Sequence, residues 1–143
     1  MIFGISCIGL YSGMRLDEIC SLKKEDVVDD CFRVTRGKTK SSIRTVPIHK
    51  IILPMVEKLI VTSNNEFLLS DLRSHGNDRS HYVGKLMTTR RKQLGFEKRK
   101  YTFHSFRSNF ITEMDNNGTE LSVTENLVGH SHKNLVRDVY SSG

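Results

Sequence analysis

His104-Ser105-Phe106-Arg107 carries the strongest local pattern in the chain. Helical positions three apart share a face, so this imidazole and guanidinium would project together, with Phe103, Phe106 and Phe110 anchoring the opposite side. An imidazole can donate or accept a proton near neutral pH. A guanidinium can grip two phosphate oxygens in a fixed fork. Such a pair also arises on an ordinary exposed helix face. Arg15 stands at a helix-to-helix corner between apolar neighbours, where a charge needs partners. A structural ion pair, with Glu18 or another carboxylate, is its plainer reading. Gly37-Lys38-Thr39-Lys40 forms a basic hairpin tip that can enter a groove and set an ammonium on an oxygen, or else be a solvated turn. His130 follows Gly129 at a helix end and can pack or cap as easily as react. Tyr140 lies in a late, basic-flanked helix, where an amphipathic surface tyrosine is common.

The elements that must position these residues are mainly helical. Ile2 to about Tyr11 reads as an apolar helix closed by Gly13 in a C′ position. Leu16 to Leu22 reads as a second, short helix with Ile19 and Leu22 inward and Asp17 and Glu18 in its first turn. Val27-Val28, Cys31 to Thr35 and Ile43 to Ile48 predict a three-stranded antiparallel meander, with Asp29-Asp30 as a tight turn and Gly37 to Ser42 as a longer one. A helix is expected from His49 to Ile60, troubled by Pro54. Glu66 to Ser70 reads as extended. Asn77 to Leu94 predicts a longer helix with Tyr82, Leu86 and Leu94 inward. His104 to Met114 predicts another, then one capped by Thr119 or Ser122 and ending at Gly129, then a short one from Lys133 to Tyr140. The fold class is mainly α with a small antiparallel sheet near the N-terminus, an α+β arrangement.

Composition narrows the partners. The 143 residues suit one domain with an adequate core. Lys and Arg number 22 against 16 acidic residues, a net charge of +6 with pI near 9.4, which favours a polyanion, nucleic acid first. The 3 cysteines, Cys7, Cys20 and Cys31, fit neither a zinc site nor a disulfide framework, and a reducing cytoplasm is the simplest setting. Cys7 and Cys20 read as small core residues. No apolar run approaches the ~20 residues that span a bilayer. The apolar start lacks a basic leader, so a signal peptide is not expected. It suggests a chain that begins part-way through a larger parent.

Taken in order, these motifs resemble the tyrosine recombinase (phage integrase) family, whose order is Arg, Lys, His-x-x-Arg, His or Trp, then Tyr. Ser12-Gly13-Met14-Arg15-Leu16-Asp17-Glu18-Ile19 looks like its first arginine box. Gly37-Lys38-Thr39-Lys40 with Arg44-Thr45-Val46-Pro47-Ile48 is similar to its lysine hairpin. His104 to Phe110, then Gly129-His130-Ser131 with Tyr140, resemble its last boxes, although Tyr140 follows His130 at a longer spacing than in many members. The resemblance implies a catalytic domain over 1–143, without the family's N-terminal DNA-clamping domain and the start of the first catalytic-domain helix. It implies site-specific recombination through a 3′-phosphotyrosyl intermediate. Arg15 and Arg107 would clamp the non-bridging oxygens. His130 would add a hydrogen bond, Tyr140 would attack, His104 would be the general base and Lys38 the general acid. Neither a metal nor another cofactor is implied.

Lys40, Arg44, Arg90, Arg91 and Lys92 are further candidates for DNA contact, in a basic band that continues to Lys98, Arg99 and Lys100. The partner is double-stranded DNA. A tetramer on DNA is expected for the full-length parent and a monomer is plausible for this piece, without a membrane and in a cytoplasmic, DNA-associated setting. Two other readings compete: a non-enzymatic DNA-binding remnant or regulator, and DNA relaxation of the type IB topoisomerase kind. A metal site on His104, His130 and His132 is disfavoured, because the close paired spacing of ligands is absent.

Overall fold

The computed structural model describes residues 1–37, 39–96 and 100–130. Within them lie α1 (Ile2–Ser12), α2 (Leu16–Cys20), β1 (Val27–Val28), β2 (Cys31–Val34), β3 (Arg44–Pro47), α3 (Leu53–Thr62), α4 (His81–Gln93), α5 (His104–Asn116) and α6 (Leu121–Val128). The expected helix from Lys133 to Tyr140 lies outside the described residues.

α1 is apolar all round because it is central: Ile5 and Ile8 are fully buried, and the helix packs on both α2 and α5. Gly13 ends it at φ 64° and returns its amide to the Gly9 carbonyl at 3.0 Å. A Cβ at Gly13 would lie 2.6 Å from the Phe110 ring, so only glycine makes this turn so close to α5. The chain can then re-enter α2 within three residues, which places Arg15 at the corner.

The sheet is the expected antiparallel meander, in the order β1-β2-β3. Asp29 and Asp30 both take positive φ, 52° and 56°, the pairing that closes a two-residue hairpin with the right twist. Phe32 faces Val46 and both are buried, while Arg33 between the inward positions is exposed. A short 3₁₀ turn at Lys40–Ser42 occupies the end of the longer β2–β3 connection.

Several boundaries differ from expectation for local reasons. α3 begins at Leu53 rather than His49, which moves Pro54 into the first turn, where its missing N–H costs nothing. α4 begins at His81 rather than Asn77, because Asp78 Oδ1 accepts the amides of Ser80 at 2.8 Å and His81 at 3.2 Å. Its inner face is also different. Val83 is buried and Met87 half-buried, whereas Tyr82, Leu86 and Leu94 are exposed. The helix touches the core along one narrow i, i+4 stripe, and the expected stripe lies a step around the barrel of the helix. α6 is preceded by Glu120, and neither Thr119 nor Ser122 supplies a cap bond.

The stretch 63–80 contributes Leu68, Leu69 and Leu72 to the core with little regular structure. Two backbone bonds hold the expected extended segment against the end of α2: Lys24 N–H to Glu66 O and Leu68 N–H to Leu22 O, each 2.9 Å. Arg79 completes the fastening. It donates to Cys20 O at 3.0 Å and Leu69 O at 2.6 Å, and its guanidinium lies 3.6 Å from the Phe67 ring centroid. Cys20 is buried, as expected, and burial pushes its thiol up to about 12, so it stays a protonated core group.

Candidate functional site

The deepest side chain of α5 is its arginine. Arg107 is the one residue of that helix classed as buried, at 1% exposure, while Phe103, Phe106 and Phe110 are half-buried. The aromatic residues therefore flank the inward face instead of opposing it. Arg107 Nη1 donates to Gly13 O at 2.7 Å and Nη2 to Val128 O at 2.6 Å. Both acceptors sit at helix C-termini, those of α1 and α6, where the helix dipole favours a cation. Burial, and next the charge of Arg15, push Arg107 down to about 10, so it is still a cation at neutral pH. Its Nε–H is buried and makes no hydrogen bond among the described residues.

This fork gathers the site. Gly13 is two residues before Arg15, and Val128 is two residues before His130. One guanidinium thus ties together the approaches to two other candidate residues. Arg15 keeps 39% of its side chain exposed and donates from Nη1 to Glu18 Oε1 at 3.2 Å. Its amide donates to Glu18 Oε2 at 2.8 Å, so Glu18 caps α2 as well as pairing with Arg15. His130 is half-buried just past α6, with its amide on Glu125 O at 3.0 Å. His104 opens α5 one turn before Arg107 and is exposed. It lines a groove of about 950 Å³ between α1, α4 and α5, together with Met87, Phe103 and Phe106. Lys38 and Tyr140 lie outside the described residues, as do Lys98, Arg99 and His132.

Arg44 is placed differently from its sequence reading as a DNA contact. Its side chain is 6% exposed and faces inward. Nη1 and Nη2 donate to the two oxygens of Glu18, each at 2.9 Å, Nε to Leu127 O at 2.7 Å, and Nη1 also to Ser42 O at 2.8 Å. A signal was present: Arg44, Val46 and Ile48 alternate along one strand, and the last two are core residues. Gly129 makes the room. At φ 69° it stops α6, and a Cβ there would lie 2.9 Å from Arg44 Nη1 and from Ser41 O. Lys40, Arg90 and Lys92 are exposed, and Arg91 is half-buried. Among the described residues no group of three His, Cys, Asp or Glu could hold a metal ion. No helix among them is long and apolar enough to cross a membrane.

Glu18 is the carboxylate at the centre of this cationic cluster. Burial opposes its ionised form, but the hydrogen bonds of Arg44 and the Arg15 amide, with both guanidinium charges, hold it below the usual carboxylate range. Its contribution to stability is thus in place above about pH 4.5 and drains away as the pH falls through the lower folded value. Glu18→Ala is expected to leave the Arg44 charge buried without its counter-ion, costing about 3–5 kcal/mol. Thermal denaturation should show a Tm lower by roughly 10–20 °C. Urea midpoints below pH 4.5 should fall less steeply in Glu18→Gln than in the unmodified chain; parallel pH curves would mean that Glu18 is not the group lost in acid.

The fold and this junction define a helical scaffold that brings cationic side chains together around a small antiparallel sheet. The chain belongs to the phage integrase family, whose sequence profile matches residues 4–142. It is 29% identical over 126 residues to the tyrosine recombinase XerA of Pyrococcus horikoshii, covering 85% of this chain and 43% of that one. It is 29% identical over 154 residues to the tyrosine recombinase XerC of Halalkalibacterium halodurans, covering 90% and 50%. The chain therefore spans about half the length of these relatives, or slightly less. Among solved structures, the Tn1549 transposon integrase in complex with circular intermediate DNA matches with a TM-score of 0.80 at 17% identity, covering 95% of this chain and 52% of that one. The XerA recombinase crystal structure matches with a TM-score of 0.71 at 22% identity, covering 98% and 57%. Those structural matches speak for the fold: mainly helical with a three-stranded antiparallel sheet, as expected.

Proposed function

We propose that this chain is the DNA-cleaving domain of a tyrosine recombinase, an enzyme of site-specific integration and excision. The observation that carries the reading is the Arg107 fork, which binds the approaches to Arg15 and His130 to one point and leaves a buried Nε–H without a partner among the described residues. Arg15, with 39% of its side chain exposed, is the guanidinium open to a scissile phosphate, whose equatorial oxygens gain charge during attack. Arg107 spends both Nη groups on backbone carbonyls and, contrary to its sequence reading as a two-point clamp, can offer only its Nε–H and its charge. In this mechanism the Tyr140 phenol loses its proton to His104 and its oxygen bonds to phosphorus. The bond from phosphorus to the 5′ oxygen breaks, and Lys38 protonates that leaving oxygen. His130 adds a hydrogen bond to the phosphate. The phosphotyrosyl ester retains the energy of the broken bond, so a second DNA end can be joined by the reverse step.

Arg90 and Lys92 at the exposed end of α4, with Arg91 beside them and Lys40 on its turn, are suited to backbone phosphates. Double-stranded DNA is the proposed partner, in the cytoplasm. Assembly on DNA is proposed for the longer parent, in keeping with the lambda integrase structure described as a tetramer bound to a Holliday junction.

The test is a nicked suicide DNA duplex, in which the cut strand loses a short fragment and cannot be resealed. The chain is expected to leave a covalent protein–DNA band on a denaturing gel. Binding without any such band would favour the remnant or regulator. Relaxation of supercoils without joining of two sites would favour the topoisomerase reading.

A further inference from the structure

We propose that Arg44 is a positioning residue that keeps Arg15 available to the phosphate by holding the carboxylate that would otherwise capture it. The inference rests on the reading of Arg15 as a phosphate ligand. Glu18 lies three residues after Arg15 at a helix start, within easy reach for a two-point ion pair. The structure does not show that pair. Arg44 takes both Glu18 oxygens in a fork at 2.9 Å, and Arg15 is left with one longer side-chain contact of 3.2 Å. Two-point charge-assisted bonds are the stronger and more directional kind, so the carboxylate follows Arg44 inward. The exposures agree: Glu18 at 3%, Arg44 at 6%, Arg15 at 39%.

Arg44 can hold this post because it is itself fixed. Leu127 O takes its Nε–H, Ser42 O takes a second bond from Nη1, and Gly129 leaves the space. The consequence is an unequal sharing of Glu18 between two arginines. Three guanidinium groups, from Arg15, Arg44 and Arg107, interact electrostatically with the Glu18 carboxylate or with one another. Arg44 takes the larger share of that carboxylate, so Arg15, with one 3.2 Å side-chain contact to it, keeps most of its positive charge for the anion it is proposed to meet. Removal of Arg44 lets Glu18 swing to Arg15 and neutralise it.

Two readouts test this. The first is peptide-resolved labelling of Arg15 by phenylglyoxal, which reacts with guanidinium groups that are not tied up in ion pairs. The second is the rate of covalent adduct formation on the suicide duplex. Arg44→Met is expected to slow both by at least about fivefold, and adding Glu18→Gln to it should recover most of each loss, since the amide cannot neutralise Arg15. If Arg44→Met does not fold, as judged by thermal denaturation, Arg44→Lys replaces it. A single ammonium cannot fork onto both oxygens and should shift both readouts the same way. Unchanged Arg15 labelling, or a double variant no better than the single one, overturns the proposal and leaves Arg44 as a tie between β3 and α6. If the unmodified chain forms no adduct while labelling follows the expected pattern, the DNA-cleavage reading fails and the carboxylate-holding role stands.

Discussion

Arg107→Lys is expected to lower DNA cleavage by about 10²–10³-fold while the chain still folds. The ammonium keeps the charge but loses the planar fork, so it can satisfy one of the two carbonyls now served, Gly13 O or Val128 O. The carbonyl left without a donor costs about 1–3 kcal/mol, a readable but tolerable loss in urea denaturation. The larger effect falls on chemistry. The ends of α1 and α6 are no longer drawn to one point, and the Nε–H that has no acceptor among the described residues is gone. Arg107→Met should destabilise further, because both carbonyls then lack a donor. Cleavage by Arg107→Lys within a few-fold of the unmodified chain would make Arg107 a purely structural fastener and remove the central support of the functional reading.

Tyr140→Phe is expected to abolish the covalent adduct entirely and leave DNA binding within about threefold. The phenyl ring has no oxygen to bond to phosphorus, so no rescue by pH or DNA concentration is available. Gel-shift titration and the denaturing-gel assay on the same duplex separate the two properties. A persistent adduct in this variant would point to another nucleophile. Candidates would then be sought among the remaining tyrosines, Tyr11, Tyr82 and Tyr101, by the same substitution.

Much of the architecture was legible because local physics agreed with it. Gly13 and Gly129 mark helix ends at positive φ, and Asp29-Asp30 marks a hairpin that a left-handed pair closes. The alternation around Phe32 and Val46 reveals the meander. What escaped was set by contacts distant in sequence. Arg107 looks like the polar side of a half-aromatic helix, and nothing within a turn of it says that two helix ends will converge on its guanidinium. Its acceptors lie 94 and 21 residues away. Arg44 was legible in principle, since the strand period places it beside Val46 and Ile48, but its type suggests solvent until its Glu18 partner, 26 residues away, is known. The face of α4 failed for a different reason. A helix with only a few apolar side chains offers competing stripes, and packing, not periodicity, chooses between Val83 and Leu86. Of the candidate site, Arg107 is bonded to the backbone two residues before Arg15 and two residues before His130. His104 lies a turn away on the exposed start of α5, and Lys38 and Tyr140 lie outside the described residues.

The Arg107 fork also bears on when, during synthesis, the proposed site can first exist. A nascent chain on the ribosome presents Arg15 long before Arg107 has been synthesised, and Val128, the second anchor of the fork, comes later still. Until the last of these has emerged and docked, the Arg107 fork cannot join the ends of α1 and α6. Misfolded or proteolysed copies lose the same junction, so cleavage of the proposed kind would arise only together with the finished tertiary structure and would be lost with it.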